Sequence, residues 1–419
     1  MKSILRFLAR LSFKISLTCF CFILTLSATA QGTWSFFSTA NSPLPENSVR
    51  CIAIDHLDRK WVGTDYGLAI YDNVNWTVYL PFSTGLPSAS VRSIVFDSAN
   101  NAWIGTLGGG VAKFDGTTWT IYDDSNSPLQ DNSIRTLDID SAGALWIGSQ
   151  DGLTKFDGTN WIVYSSSNSV IQNTIASVYC SSAERVLAGS INGGLFVLLS
   201  DTIKSNFTIS NGSGIPDNTQ LAFDEDSIGN VWFATPANGI VAYKNVGGWF
   251  WYYMGNSLLP TNSLSDIKFN SNESALWVAS VDSGIVKKTG TVYKSFTTAN
   301  SLIPDNNIQC LTLDNNDVLW IGTATQGVAR FEETTGFHDS ETLNSVTLYY
   351  IAGTDKIRVD SSSPVVNYVL CDVSGKNILA GSPGKNYFSL DVSTLKKGVY
   401  FLKITDATHR TVCKKIIKH

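Results

Sequence analysis

The chain is short of the residues that most active sites are built from. Only four histidines occur in 419 residues. His56, His338, His409 and His419 are scattered, and no two stand at metal-ligand spacing, which argues against a zinc site. No Gly-rich phosphate loop follows a strand, since Gly108-Gly109-Gly110 reads as a turn before one. No G-x-S-x-G elbow and no catalytic triad can be assembled. We therefore assign no catalytic, cofactor-binding or metal-binding residue and expect no enzyme. Charged residues make up only 16% of the chain. Such a Ser/Thr/Asn-rich surface suits an extracellular β protein better than a cytosolic enzyme. Cysteine is sparse as well. Beyond Cys19 and Cys21, only Cys51, Cys180, Cys310, Cys371 and Cys413 remain, an odd and thinly spread set that is no disulfide framework.

Long apolar runs are also missing, with one exception at the N-terminus. Lys2, Arg6, Arg10 and Lys14 precede an apolar stretch, Ile15 to Leu26, and Ala28-Thr29-Ala30 follows it. This order reads as a signal peptide over residues 1–30. The stretch is short for a membrane span, and no Cys stands where a lipoprotein would need one. Its removal takes the net charge from −5 to about −9. An acidic mature chain without a spanning segment argues against nucleic-acid partners.

What the chain does have is a repeat. Trp61-Val62-Gly63-Thr64 returns as WIGT at Trp103, WIGS at Trp146 and WIGT at Trp320. Weaker copies are WFAT at Trp232, WVAS at Trp277 and LAGS at Leu187, where Leu replaces Trp. The spacing is about 41 to 45 residues, the length of one four-stranded propeller blade. Around each copy the pattern predicts four short antiparallel strands. The first carries apolar residues with period two (Ile52 and Ile54), the second the Trp, the third begins at Gly67 and the fourth at Trp76. Seven units make a seven-bladed ring. The last lacks a Trp-led fourth strand, and Thr33 to Phe37 is an orphan one, so residues 33–38 are expected to close blade seven and remove the open edges.

All 12 Trp lie between Trp34 and Trp320. That composition break marks a boundary. We expect a propeller over residues 31–335, a linker over 336–344, with Glu332-Glu333-Thr334-Thr335-Gly336 reading as its start, and a small Ig-like sandwich of about seven strands over 345–419. Cys51 and Cys310 share one repeat position in adjoining blades, and either a bond or two buried thiols fits them. Cys371 and Cys413 form a second candidate pair.

The repeat resembles the two-component regulator propeller repeat, carried by Leu44-Pro45, Asn47, Val49-Arg50, Ile52, Asp55, Trp61-Val62-Gly63-Thr64 and Gly67-Leu68. That family forms sensor propellers of Bacteroidetes-type bacteria. The sensors carry a second propeller, a membrane span and a kinase, none of which is found here, so the sensor-kinase function is not carried over. The C-terminal segment resembles the type A sorting domain of the type IX secretion system. The resemblance rests on Asp372, Gly375 and Lys376 after a strand, on Asp391, Leu395, Gly398 and Tyr400, and on a basic end with Lys414 and Lys415. It implies Sec-dependent export to the periplasm, then passage through the type IX machinery to the outer surface or the medium.

Two sets of residues are candidates for ligand binding. Arg50, Arg92 and Arg135 recur at one inner-strand position of blades one to three, where Ala176, Thr219, Ser265 and Gln309 are read in the others. They form either a basic mouth for an anionic ligand or part of the repeat's own framework. In the run Trp249 to Tyr253, alternation puts Trp251 and Tyr253 on the face of Trp249. Those rings either stack on sugars or pack on a neighbour. Asp97-Ser98-Ala99, Asp140-Ser141-Ala142, Asp201-Thr202-Ile203 and Asp226-Ser227-Ile228 are similar to O-glycan acceptors of such bacteria and equally to ordinary turns. The leading expectation is a secreted or surface binding propeller for a glycan, peptide or protein. A polysaccharide hydrolase or lyase, or a structural or adhesive surface component, are the alternatives. A cluster of carboxylates or His in the channel would favour an enzyme.

Overall fold

The computed structural model describes residues 32–333 apart from 82, 166–168, 172–173 and 245–247, and residues 346–418 apart from 351–354, 373–374 and 408–410. The expected signal segment and linker lie outside them.

Blade one shows how the repeat folds. Its strands are Val49–Ile54, Lys60–Thr64, Gly67–Tyr71 and Trp76–Tyr79, paired antiparallel in that order from inside to outside. Each motif residue has one job. The Thr64 hydroxyl donates to Gly67 O at 2.9 Å and closes the turn into the third strand; Thr323 does the same to Gly327 at 2.8 Å. Gly67 has φ +139°, and a Cβ there would stand 2.8 Å from Tyr79 O, so only glycine fits. Trp61 Nε1 donates to Asp55 Oδ2 at 3.0 Å, while Asp55 Oδ1 accepts the Leu57 and Arg59 N–H groups. One carboxylate thus builds the turn and satisfies the buried indole. The same bond recurs as Trp103–Asp97, Trp146–Asp140, Trp232–Asp226 and Trp320–Asp314, at 2.9 to 3.3 Å. Three of the four Asp-Ser/Thr-apolar triplets therefore contain a Trp-holding turn.

Seven four-stranded sheets of this kind make a seven-bladed propeller. Six use consecutive strands. The seventh has Ile308–Leu313, Leu319–Thr323 and Val328–Glu332, and its outer strand is Thr33–Phe37 from the other end, running from Thr33 opposite Glu332 to Phe37 opposite Val328. Glu332 thus continues a strand rather than opening a linker, and Glu333 takes ion pairs from Lys287 and Lys294.

The blades meet at seven apolar seams. In each, the second-strand residue of one blade packs on the inner strands of the next. Trp61 lies with Val91 and Ile94, Trp103 with Ile134 and Leu137, Trp277 with Ile308 and Leu311, and Trp320 with Val49 and Ile52. The seam between blades seven and one is built like those that hold a motif tryptophan. Removing a buried Trp of this type costs about 3–5 kcal/mol.

Residues 346–418 form a six-stranded β-sandwich-like unit among the described residues, one strand fewer than expected. The reason is a single 17-residue strand, Lys356–Asp372, which pairs Val346–Tyr350 and Lys385–Asp391 along its first part and Asn377–Gly381 and Gly398–Asp406 along its second. Thr411–Lys418 pairs Gly398–Asp406 at the edge. The core holds Ile357, Val359, Leu370, Leu402, Ile404 and Ile416.

Cys51 and Cys310 are separate thiols. Burial pushes Cys51 up to about 12 and Cys310 well above its ordinary value, so neither offers a thiolate. Cys371 is also a free thiol, and the Cys413 side chain lies outside the described residues.

Candidate functional site

The inner strands line a central channel with a cavity of about 520 Å³. Arg50, Arg92 and Arg135 all line it. Their placement has a backbone cause. In blade one the pairing runs from Val49 opposite Thr64 to Cys51 opposite Gly63, which leaves Arg50 as an extra residue in a β-bulge. The same shift falls at Arg92 and Arg135 in the next two blades. Bulges re-aim a side chain out of the ladder, and here each extra residue turns into the channel. In blades four to seven the position is Ala176, Leu221, Ser265 and Gln309. Thr219 does not belong to this set. Strand Ala222–Glu225 pairs Ala222 with Ala234 and Phe223 with Phe233, which moves the register by two residues from the one read in the sequence.

Asp65, which the repeat pattern did not single out, organises the arginines. Its Oδ2 accepts from Arg50 Nε at 2.8 Å, Arg50 Nη2 at 2.5 Å and Ser48 at 3.0 Å, and its Oδ1 accepts from Ser90 at 3.0 Å. Arg92 Nη2 stands 3.2 Å from the same carboxylate. Burial pushes the Asp65 carboxyl up, but the bonds from Arg50, Ser48 and Ser90 outweigh it and hold its pKa below the ordinary value. Arg50 also donates to Gln309 at 3.1 Å, joining blades one and seven. Arg92 Nε is buried without a hydrogen-bond partner. Burial lowers the Arg92 pKa, Asp65 counteracts, and repulsion from Arg50 and Arg135 adds to the lowering. Arg135 is exposed to the channel and has no ion pair or hydrogen bond among the described residues. Two guanidiniums therefore share one carboxylate, with the third close enough to repel Arg92.

Elsewhere in the channel wall stands a second charged group. Asp138, Asp224 and Asp266 all act on Lys268, whose Nζ is 3.2 Å from Asp224 Oδ2. Each carboxylate also accepts a backbone N–H of the next blade: Asp138 from Cys180 at 2.7 Å, Asp224 from Phe269 at 2.6 Å and Asp266 from Leu311 at 2.7 Å. Burial pushes Asp138 and Asp266 up to about 6, against those N–H bonds. Attraction to Asp224 is the main reason Lys268 is raised. Asp138, Asp266 and Lys268 stand on inner strands whose register the repeat pattern gives correctly, whereas Asp224 lies on the blade-five strand, whose register is displaced. No group of three His, Cys, Asp or Glu that could hold a metal ion occurs among the described residues.

Trp251 and Tyr253 lie apart from the arginines. Trp251 is on the outermost strand of blade five, Gly248–Tyr252, and Tyr253 follows it; they are 41% and 40% exposed. Trp249 on the same strand packs into a seam beside Phe207, Phe233 and Tyr243.

In the C-terminal unit, Asp372 and Gly375 make a turn: Gly375 and Lys376 donate to Asp372, and Gly375 has φ +83°. Asp391 Oδ1 accepts from Ser393 at 2.9 Å, and Leu395 and Tyr400 are buried, with the Tyr400 hydroxyl donating to Lys396 O. Gly398 opens a strand at φ +156°. Lys414 and Lys415 lie on the edge strand, the Lys415 side chain outside the described residues. Residues 353–419 match the secretion system C-terminal sorting domain. The chain carries a type IX sorting tail. Residues 85–108 and 302–325 match the two component regulator propeller. The protein is secreted or displayed at the cell surface. Among the described residues no helix is long and apolar enough to cross a membrane.

Three solved structures place the fold. The extracellular domain of a hybrid two component system of B. thetaiotaomicron matches at TM-score 0.64 and 19% identity, over 92% of this chain and 57% of that one. PorZ of Porphyromonas gingivalis, a surface component of the type-IX secretion system, matches at 0.60 and 17%, over 91% and 60%. The virginiamycin B lyase of Staphylococcus aureus matches at 0.59 and 12%, over 72% and 99%. The chain spans 57% and 60% of the length of the first two. At these identities the likeness is one of fold. No curated protein matches the chain.

Proposed function

We propose that this protein is a non-enzymatic binding propeller, exported by its C-terminal tail, whose channel takes an anionic extracellular ligand such as an acidic glycan. The observation that carries the reading is the local excess of guanidinium over carboxylate around Arg50, Arg92 and Arg135. Asp65 compensates part of the charge of Arg50 and Arg92, and Arg135 is left for a ligand. Guanidinium forks match carboxylate and sulfate geometry, and a cleft lined by charge of one sign concentrates the attraction. Trp251 and Tyr253 offer exposed rings for a longer glycan on the outer rim. The test is a glycan array with uronate-containing, sulfated and neutral sugars and an acidic-peptide set, probed with the mature chain and with Arg135→Ala. Binding of acidic sugars should fall about tenfold in the variant, the loss of one charged hydrogen bond, and should weaken with salt. Equal binding of acidic and neutral sugars would refute it.

The second reading is a lyase or hydrolase. The three carboxylates around Lys268 favour it, as does the fold shared with a lyase. Against it, each carboxylate is engaged by the backbone of the neighbouring blade. Turnover of an array-positive glycan, abolished by Asp266→Asn, would establish the enzyme.

A further inference from the structure

Six of the seven seams hold the motif tryptophan of a second strand, and the seam between blades four and five does not. Leu187 occupies the position, packed with Leu195, Val231, Phe233 and Val241. Its two usual partners have changed with it. Where Trp146 has Asp140 six residues before it, Leu187 has Ser181. Trp146 has Lys155 opposite on the third strand, with the ammonium 5.1 Å from its ring, and Leu187 has Val197. The hydrogen-bonding acid, the indole and the covering cation are all replaced by smaller, mostly apolar side chains.

The walls that elsewhere enclose the indole remain. In the seam between blades two and three, Trp103 lies 5.8 Å from Tyr122 and 6.0 Å from Phe156. At the blade-four seam, Phe207 and Tyr243 stand in the matching strands, and Trp249 touches both, at 5.1 and 4.7 Å between ring centres. Between these rings and Leu187 is a cavity of about 210 Å³. Arg185 and Lys204 line it too, and no acidic side chain does. An apolar cavity of ~150 Å³ is enough to bind benzene, and clefts for drug-sized ligands run from ~300 Å³ upward.

We propose that this seam is a binding site for a small planar aromatic acid of one or two rings. The ring takes the place of the absent indole, between Phe207, Tyr243 and Trp249, and its carboxylate meets Lys204 and Arg185 at the rim. Size excludes larger ligands, the aromatic walls favour a flat ring over an alkyl chain, and the two cations favour an acid over a neutral ring. The site is separate from the channel, so it stands whether or not the channel binds an anion.

The experiment titrates the mature chain with indole-3-acetate, indole and hexanoate, read by calorimetry and by the NMR signal of the Trp249 indole N–H. Indole-3-acetate should bind most tightly, move that signal and saturate at one site. Leu187→Trp should raise Tm and weaken binding about tenfold or more. Leu187→Phe, a smaller filler, should do so by less. Lys204→Ala should weaken indole-3-acetate and leave indole unchanged, while Arg135→Ala in the channel should change neither. Failure of indole-3-acetate to move the Trp249 signal at millimolar concentration would overturn the proposal. So would binding that both fillers leave intact, or hexanoate binding as tightly as indole-3-acetate.

Discussion

Val49 packs directly over the α-carbon of Gly322. A Cβ at residue 322 would lie 2.7 Å from Val49 Cγ1 and closer still to Cys310 Sγ. Gly63 stands in the same relation to Val91 and Cys51, and Gly148 to Ile175 and Thr136. The glycine after the motif tryptophan is therefore set by how closely the next blade's inner strand approaches. Gly322→Ala should destabilise the propeller by ~1–3 kcal/mol, the usual effect of overpacking. Cys310→Ala combined with it should recover part of that, since the nearest obstructing atom is gone. Thermal unfolding of the parent and the two variants checks this. If Gly322→Ala melts like the parent, the seam between blades seven and one is looser than described.

That relationship shows which parts of the fold can be read from residues. The Trp-x-Gly-Thr spacing implies a second strand, a turn and a close neighbour, so blade number and strand order followed from counting. Three things were not legible. The inner-strand bulge adds a residue with no chemical signature, so Gln220 and Leu221 could not be aligned with Val49 and Arg50 while Thr219 looked equally suitable. Asp65 lies in a two-residue turn whose composition varies between blades, and its role appears only once blades one and two bring Arg50 and Arg92 to it. Strand Lys356–Asp372 contains Pro364 and serines that read as a turn, yet it runs through as one element because it changes partners midway.

The orphan N-terminal strand closes the ring through five residue pairs and through Trp34 and Phe37, whose rings lie 4.5 Å from Phe331 and 5.8 Å from Trp320. Removing residues 31–38 exposes the edge of strand Val328–Glu332 and empties two seams at once. Tm should fall markedly, and the variant should aggregate through the new edge. Calorimetry with light scattering measures both, and an unchanged melting curve would count against the closure as a source of stability.

Asp140 and Trp146 should be energetically coupled. Trp146→Leu should cost about 2–4 kcal/mol through lost burial. Asp140→Ser should cost ~1–3 kcal/mol by leaving the buried indole N–H unpaired. The double variant copies what blade four has in Ser181 and Leu187, and its cost should fall short of the sum by ~0.5–3 kcal/mol. Strict additivity in a denaturant double-mutant cycle would show that the bond is not coupled to the packing. By the same logic blade four, residues 174–209, buries less aromatic surface and should exchange amide hydrogens fastest.

Asp138 and Asp266 predict a pH dependence. Burial pushes both up to about 6 from an ordinary value of 3.8, so each holds its proton more tightly folded than unfolded. Their contribution to stability is complete below about pH 3.8 and is lost as the pH rises through about 6. Asp55, Asp65, Asp97 and Asp226 are shifted the other way, so their contribution is present above the ordinary value and lost on acidification below it. The window between about 4 and 6 therefore reports Asp138 and Asp266. Replacing both by Asn keeps an acceptor for Cys180 and Leu311 N–H and removes the titration. Tm measured against pH should then be flatter across that window, by about 1–2 °C for each kcal/mol for a domain of this size. A wild-type slope in the double variant would mean that these carboxyls do not titrate there.

The C-terminal unit makes the firmest prediction about the cell. Its matched residues split into two kinds. Asp372, Gly375, Leu395 and Tyr400 form turns and core, so changing them disrupts folding before it disrupts recognition. The edge strand Thr411–Lys418 presents Lys414 at the sheet margin, pairs only Gly398–Asp406 among the described strands, and fastens its end through the Lys418–Asp355 ion pair. A machine that reads a folded tail would use that edge, because its outer side is left unpaired among the described strands even though Ile416 reaches the core. Deleting residues 345–419 should leave the propeller's melting curve unchanged and hold the protein in the periplasm of its native host. Lys414→Glu with Lys415→Glu should keep the tail folded by circular dichroism and still reduce surface delivery. Fractionation of cells and medium reads both outcomes. Normal amounts of the deleted form outside the cell would show that the tail is not the address. Normal delivery of the charge-reversed form, with the deletion retained inside, would move the recognised surface away from the basic edge.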